Sequence, residues 1–583
     1  MFEAELSALK NKSLLYSWIR LALIICSIVL LILFFSAGHF FLYLIFSLSF
    51  LSSFIVIVYR HNLLEEKISI LSSKLQVNRD EILFINYDFQ NRKTGSEYEF
   101  MNPYLVNDFN LFGLGSLFQY INRCNTYFGK KLLAHNLCKP EKNISSIIAK
   151  QSAIDELKRK NDYIQNFQSY SRFILDNMNE FSFLKSWVNE PERFFKRKKN
   201  LAIILGAINI AWLFLSVFNL LTWSSFLIPI LISQSVVVLQ RNKTKKVHSN
   251  INVVPDILSK YVKLFELIED EAFDAEYLVF LQKKLLVNET KASNSLNSLF
   301  RILFASELQN NVFISLLLNS LFLWDIHVKY YFTEWKKKYK NDIKDWFSAI
   351  TEIEVLISFA TFAFNNEENV TYPQLSRVFR IEALELGHPL ISPNVRVNND
   401  FFIDKPSIQI ITGANMAGKS TFLRTLVTNL IIGMNGAPVV AQKFIFSPCD
   451  IMSSIKIQDS LVKNESYFYA ELQRLKDIIE HVKTQPGTLV ILDEILRGTN
   501  SNDKKTGSLG YLQKLIGLNS TVIIATHDLS ICELANSYPG IAFNNCFEVE
   551  LNNDQLFFDY KLKEGISSKL NASFLMKKME IID

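Results

Sequence analysis

Glycine is scarce in this chain, with 18 among 583 residues, about 3% against a usual ~7%. Six of them precede Gly387, and twelve fall between Gly387 and Gly565. A long stretch poor in turns therefore comes before a compact region that uses glycine. The six cysteines (Cys26, Cys124, Cys138, Cys449, Cys532, Cys546) contain no Cys-x-x-Cys pair. No disulfide framework or zinc site is thereby implied, and a reducing compartment is the simplest reading. Charge imbalance is also small, 62 basic against 57 acidic residues, so net charge alone gives no argument for nucleic acid. Repeats and low-complexity segments are missing. What is present is 49% hydrophobic residues and 48 phenylalanines. This composition excludes a disordered or collagen-like chain and leans toward helices, some of them in a membrane. The length implies three or four domains.

Two tracts carry no Asp, Glu, Lys or Arg. The first, residues 21–59, has 39 residues. As one helix it would be about 58 Å long, nearly twice a ~30 Å hydrocarbon core. A hairpin of two spans fits better, 18–36 and 40–59, turning at Ala37-Gly38-His39. The tract is far longer than the apolar core of a signal peptide, so cleavage is not expected. The second tract, 200–240, splits near 219–224, and its Pro229 is tolerable in a membrane helix. The alternative for each tract is a buried hairpin in a soluble bundle. Lys10, Lys12 and Arg20 precede the first hairpin and Arg60 follows it. Arg193 and 196–199 precede the second, and Arg241, Lys243, Lys245 and Lys246 follow it, while both short turns lack Lys and Arg. The positive-inside rule then puts both termini and all large segments in the cytoplasm. The expected location is the cell inner (plasma) membrane, as a multi-pass protein.

Between these tracts the pattern is helical. Residues 61–104 read as a linker helix continuing the second span, 105–190 as the first part of a helical core, and 247–375 as its second part or lever. The hairpins then occupy 1–60 and 191–246. Residues 316–324 are apolar but too short to span, and Asp325 and His327 follow at once, so a core helix is expected there. Lys336-Lys337-Lys338 reads as a solvated helix face. From about 376 to 583 short β-rich runs (407–412, 488–492, 521–525) alternate with helical segments, the pattern of a parallel α/β sheet. The expected fold is thus a C-terminal α/β P-loop domain behind a long all-α core, with four transmembrane helices in two hairpins.

Gly413-Ala414-Asn415-Met416-Ala417-Gly418-Lys419-Ser420 fits G-x-x-x-x-G-K-[ST], after a strand and before a helix that opens at Thr421. Its glycines let backbone N–H groups turn toward phosphates, and the helix N-terminus favours an anion. Lys419 is placed to neutralise β/γ phosphates and Ser420 to bind Mg²⁺. The apolar run 489–492 ends in Asp493 and Glu494, 74 residues after Lys419 for the first of them. Asp493 suits the metal shell, and Glu494 suits the polarisation of an attacking water. His527, just past the strand 521–525, is placed to sense a γ-phosphate. Read singly, these are an acidic strand end and an ordinary strand-end histidine. Together they specify an ATP and Mg²⁺ site.

These residues resemble the MutS family of DNA mismatch-repair ATPases. The run 412–424, with Asn415-Met416, is similar to that family's phosphate loop. Residues 492–500 resemble its Asp-Glu strand and Arg-Gly-Thr loop, and Ala525-Thr526-His527 its Ala-Thr-His. Ser466-Tyr467-Phe468 through Leu472 resembles its signature helix start, with Tyr467 in place of the usual Thr. Gly387-His388-Pro389-Leu390, Asn399-Asp400 and the tail 563–572 also fit. Upstream, 108–112, 116–118 and 126–133 resemble the start of the family's helical core. The resemblance implies an ABC-type ATPase that dimerises through its ATPase domains, with Ser466 of one subunit approaching the nucleotide of the other, and helical levers that open and close around DNA. It differs from the family in several places. Two spans stand where the mismatch-reading domain is expected, with no Phe-x-Glu wedge, and the second hairpin interrupts the lever region. Arg396 sits where an aromatic that stacks on adenine is expected, and no C-terminal helix-turn-helix follows the ATPase.

Two other function classes compete with a membrane-tethered, DNA-coupled ATPase. One is a membrane scaffold or remodelling ATPase that acts on protein or lipid. The other is an ATP-driven transporter, against which stand the missing Leu-Ser-Gly-Gly-Gln signature and the nearly apolar spans.

Overall fold

The computed structural model describes residues 2–36, 41–174, 196–241, 254–287, 289–308, 311–414, 416–455, 467–496, 499–552 and 555–567. Helices α1 (Phe2–Ser36) and α2 (Phe41–Ile85) pack side by side along their length. Small residues let the backbones approach closely, as in membrane helix pairs. Ser27 Oγ donates to the Ser47 carbonyl at 3.0 Å, and Ser47 Oγ donates back to Ser27 at 2.9 Å. The pair continues past the apolar tract, where Leu6, Leu64, Ile68 and Leu71 form a small core and Arg79 meets Glu3 at 2.6 Å. Helix α2 thus runs on past the apolar tract, without a break, to Ile85, so the helix expected over 61–104 ends there and a 3₁₀ turn at Ser96–Met101 follows.

The second apolar hairpin comprises α3 (Lys196–Val217) and α4 (Leu227–Arg241), joined through a 3₁₀ turn at Trp223–Phe226. Helix α5 (Val312–Phe322) lies against both. The contact is polar and buried: Asn209 Nδ2 donates to Ser233 Oγ at 2.8 Å and to the Ser320 carbonyl at 2.7 Å. The opposite face of α5 exposes Val312, Phe313, Leu316 and Leu317. The sequence reading expected a core helix across 316–324, and the structure corrects it. Polar Ser315, Asn319 and Ser320 turn inward, and the apolar side chains turn out. At Leu323 the chain bends by 84° into α6 (Trp324–Tyr339).

Helix α7 (Asp342–Asn365) is apolar and long enough to cross a bilayer, yet 78% of its most apolar stretch is buried, against 6% for α1 and α2. It is the centre of the helical core. Its Glu354 accepts the backbone N–H of Asn125 at 2.7 Å and of Thr126 at 3.1 Å, at the start of the helix Tyr127–Cys138. Burial raises the Glu354 carboxyl above its ordinary range. A Cβ on Gly129 would lie 2.0 Å from Glu354 Oε2, so the Thr126–Gly129 turn requires glycine.

The C-terminal domain is built on a six-stranded sheet. Its strands are β1 (Ile408–Gly413), β2 (Ile451–Ser454), β3 (Leu489–Asp493), β4 (Thr521–Thr526), β5 (Ala542–Asn552) and β6 (Gln555–Glu564), in the spatial order β6-β5-β1-β4-β3-β2. All neighbours are parallel except the β5–β6 hairpin. Strands β1, β3 and β4 are buried at every residue, which explains their unbroken apolar runs. A smaller sheet carries Gln374–Leu375, Lys443–Phe446, Ile381–Leu386 and Asn399–Ile403.

Candidate nucleotide site

The register of the parallel strands brings the sequence motifs together. Ala525 pairs with Asp493 on one side and Ile411 on the other, and Thr526 pairs with Thr412. The carboxyl ends of β1, β3 and β4 therefore lie side by side, where open α/β sheets bind ligands. From β1 the chain passes through 413–418 into α8 (Lys419–Met434). Gly413 has φ +149°, and a Cβ there would stand 2.7 Å from the Phe547 carbonyl oxygen. The loop can curl only without that atom. Gly418 (φ +109°) and Met416 (φ +72°) are also left-handed. Such a turn directs successive N–H groups inward, the arrangement that holds phosphate.

Lys419 is buried and folds over the loop, donating to the carbonyls of Gly413 at 2.6 Å and Ala414 at 3.0 Å. Ser420 Oγ donates to Asp493 Oδ2 at 2.6 Å. That is a hydroxyl beside a carboxylate, the hard oxygen set that Mg²⁺ takes. Glu494 stands at φ +50°, a conformation rare outside functional turns. Its backbone N–H donates to Ala525, and its Oε1 lies 3.0 Å from His527 Nδ1. A cavity of about 640 Å³ opens over these groups, lined by Ala414, Lys419, Ser420, Thr421, Asp493 and Glu494. Ala417 is buried beneath the loop. The structure thus brings Gly413, Ala414, Met416, Ala417, Gly418, Lys419, Ser420, Thr421, Asp493, Glu494 and His527 to one place. Asn415 and Ser466 lie outside the described residues, as do Arg497 and Gly498.

Two family models match the chain, MutS domain III over residues 105–360 and MutS domain V over 409–579. Between them they take in both the helical core and the nucleotide domain. The chain belongs to the MutS family. Among curated relatives, a DNA mismatch repair protein MutS from Finegoldia magna is 32% identical over 237 residues, 39% of this chain and 27% of that protein. One of the same name from Thermotoga neapolitana is 29% identical over 237 residues, 40% of this chain and 29% of that protein. The chain thus spans under a third of the length of these relatives.

Tyr560 escaped the sequence reading, and the structure adds contacts for Arg396 and Asp108 that it did not foresee. Tyr560 lines the cavity from β6, facing Gly418. It is a half-exposed ring on the hairpin at the sheet edge, and no local motif marks it. Arg396 lines the same cavity, with Nε 3.0 Å from Asn398 Oδ1. Asp108 was read only as part of a core motif. It is fully buried, pairs with Arg474 of α9 (Tyr467–Thr484), and accepts the Ile455 N–H at 3.2 Å. Its carbonyl takes Arg424 Nε of α8 at 3.0 Å. One residue of the helical core therefore ties together the phosphate-loop helix and the signature helix. Burial lowers the Arg474 pKa. From α9, Glu471 also accepts the Leu496 N–H at 2.5 Å, just past Glu494.

His388 supplies a pH test. Burial, then the nearby Arg424 and Arg396 cations, push its pKa down to about 4. Its Nδ1 accepts the Leu390 N–H at 3.2 Å, which needs the neutral ring. The unfolded chain titrates near 6.5, so between about pH 6.5 and 4 it binds more protons than the folded one. Stability should fall through that window, by on the order of 1–2 kcal/mol at pH 5. Thermal unfolding followed from pH 7 to 5 should show this slope, and His388→Asn should flatten it. An unchanged slope in the variant contradicts the assignment.

Proposed function

We propose that this chain is a membrane-tethered ATPase of the MutS family that works as a dimer and couples ATP binding and hydrolysis to DNA. The observation that carries the ATPase reading is the junction of three strand ends, with the Lys419 loop, the Ser420–Asp493 pair and Glu494 on one cavity and His527 against Glu494. The glycine cradle and this donor set fit ATP with Mg²⁺. Ser420 and Asp493 would hold the metal, which supplies charge neutralisation at the phosphates when bound. Lys419 binds the β/γ phosphates. Glu494 orients and deprotonates the attacking water, and His527 holds Glu494 and senses the γ-phosphate. Ser466 completes the site of the opposite subunit, as the family resemblance implies.

The membrane reading rests on the exposed apolar faces of α1, α2, α3 and α4, with α5 added to the second hairpin. A surface of this kind is too large for a monomer in water. The bilayer is that of the cell inner (plasma) membrane, with both termini and the ATPase domain cytoplasmic. The DNA reading rests on the printed function of the relatives, DNA mismatch repair. ATP hydrolysis by the detergent-purified chain, with and without duplex, mismatched and branched DNA at two salt concentrations, tests it. Stimulation that weakens steeply with salt is expected. No stimulation and no binding at low salt favours the remodelling reading, to which the apolar face of α5 beside the second hairpin lends support.

Tyr560 stacks on the base of the nucleotide in this reading. Tyr560→Ala should weaken ATP binding about tenfold while Tyr560→Phe retains it, since the ring face is what contributes. Nucleotide titrations followed by a fluorescent ATP analogue would show it. Equal affinity in the alanine variant removes Tyr560 from the site.

A further inference from the structure

A second cavity, of about 910 Å³, lies in the helical core away from the nucleotide loop. Leu299, Trp335, Val355, Leu356 and Phe359 form its wall, all buried. Lys131, Lys150, Lys340 and Lys344 stand in its lining with His135. Among the described residues, Glu352 is the one carboxylate there, and it is already engaged. It accepts the Tyr277 hydroxyl and lies 3.5 Å from Lys284 Nζ. The cavity is thus an apolar slot with a mostly cationic rim, of which Lys150 also feels the Glu141 carboxylate. Its size and chemistry are those of a small-molecule site, apolar walls with a few polar groups that fix orientation.

We propose that this cavity binds a single-chain amphiphile with an anionic head, a free fatty acid or an anionic lysophospholipid. The acyl chain lies along Trp335, Leu356 and Phe359, and the head meets the lysines. A neutral apolar ligand would leave the four ammonium groups unused, and a polar anion such as a nucleotide would leave the wall wet. An amphiphile satisfies both. The site is placed to be supplied from a membrane. Trp335 belongs to α6, whose other end packs on the second apolar hairpin, with Lys199 4.3 Å from the Tyr330 ring. Asn435, which caps α8, also lines the cavity and donates to the Asn136 carbonyl at 3.1 Å. The ligand therefore sits at the far end of the helix that begins at the nucleotide loop, about 24 Å away.

Photo-crosslinking on the full chain in phosphatidylcholine nanodiscs tests this. The probes are diazirine-bearing palmitate, lysophosphatidylglycerol and zwitterionic lysophosphatidylcholine, with labelled peptides mapped by mass spectrometry. Peptides of α6 and α7 should be labelled by the anionic probes at least tenfold more than by lysophosphatidylcholine. Labelling by palmitate alone identifies the free acid, and labelling by both anionic probes admits the lysolipid. Lys340→Glu with Lys344→Glu, both exposed, should remove most anionic labelling. Leu356→Trp, which fills the slot, should block all three probes. Labelling of the hairpin peptides reports membrane insertion separately, so a failure of the membrane reading is seen apart from a failure of the cavity. Normal hairpin labelling with none on α6 and α7, or labelling indifferent to head charge and to the lysine reversals, overturns the proposal.

Discussion

Glu494→Gln should reduce ATP turnover by about 10²–10⁴-fold while leaving nucleotide binding intact. The amide keeps the shape of the carboxylate and can still meet His527, but it cannot take a proton from water. Nucleotide then remains bound, and the ATP form of the proposed dimer accumulates. Rapid-mix hydrolysis assays and size analysis of the variant in ATP check both effects. Near-normal turnover would show that the base is another group. A Ser420→Ala variant provides contrast, because it removes the oxygen 2.6 Å from Asp493 and should weaken Mg²⁺-dependent binding rather than the proton transfer.

Asp108→Ala should have the largest effect on stability. The carboxylate is fully buried, faces Arg474 and holds the Ile455 N–H. Its removal leaves a buried guanidinium without its counter-charge, a loss of about 3–5 kcal/mol. Because Asp108 also touches α8 through Arg424, the helical core and the nucleotide domain should separate in their unfolding. Two transitions in calorimetry, where the parent chain shows one, are the expected sign. Arg474→Met tests the pair from the other side. If removing the charge from either side costs under about 1 kcal/mol, the pair is not the clasp described here.

The nucleotide site was legible because its parts are local. The loop 413–420, the strand end at Asp493-Glu494 and Ala525-Thr526-His527 each carry their chemistry within a few residues, and parallel pairing in a buried sheet leaves one way to align them. Tyr560 was not legible, since it reaches the cavity only because β6 closes an edge hairpin on β5. Asp108 was visible as part of a motif, yet its partner Arg474 lies 366 residues away. The helices separate along the same line. Apolar composition marks α1 and α7 alike, and only the contacts of α7 show that its apolar face meets protein. Helix α5 was misread for the same reason. Eleven mostly apolar residues carry no sign of which face is covered, and the polar minority decided it.

The central claim is that an ATPase of the MutS family is fixed to a bilayer by its own chain. Hydrolysis of MgATP by membranes containing the full chain, washed with high salt and alkaline carbonate and compared with membranes containing the Glu494→Gln variant, tests it most directly. The activity should stay in the washed pellet and disappear with the variant. Activity released into the wash, or equal in both membranes, would contradict the account.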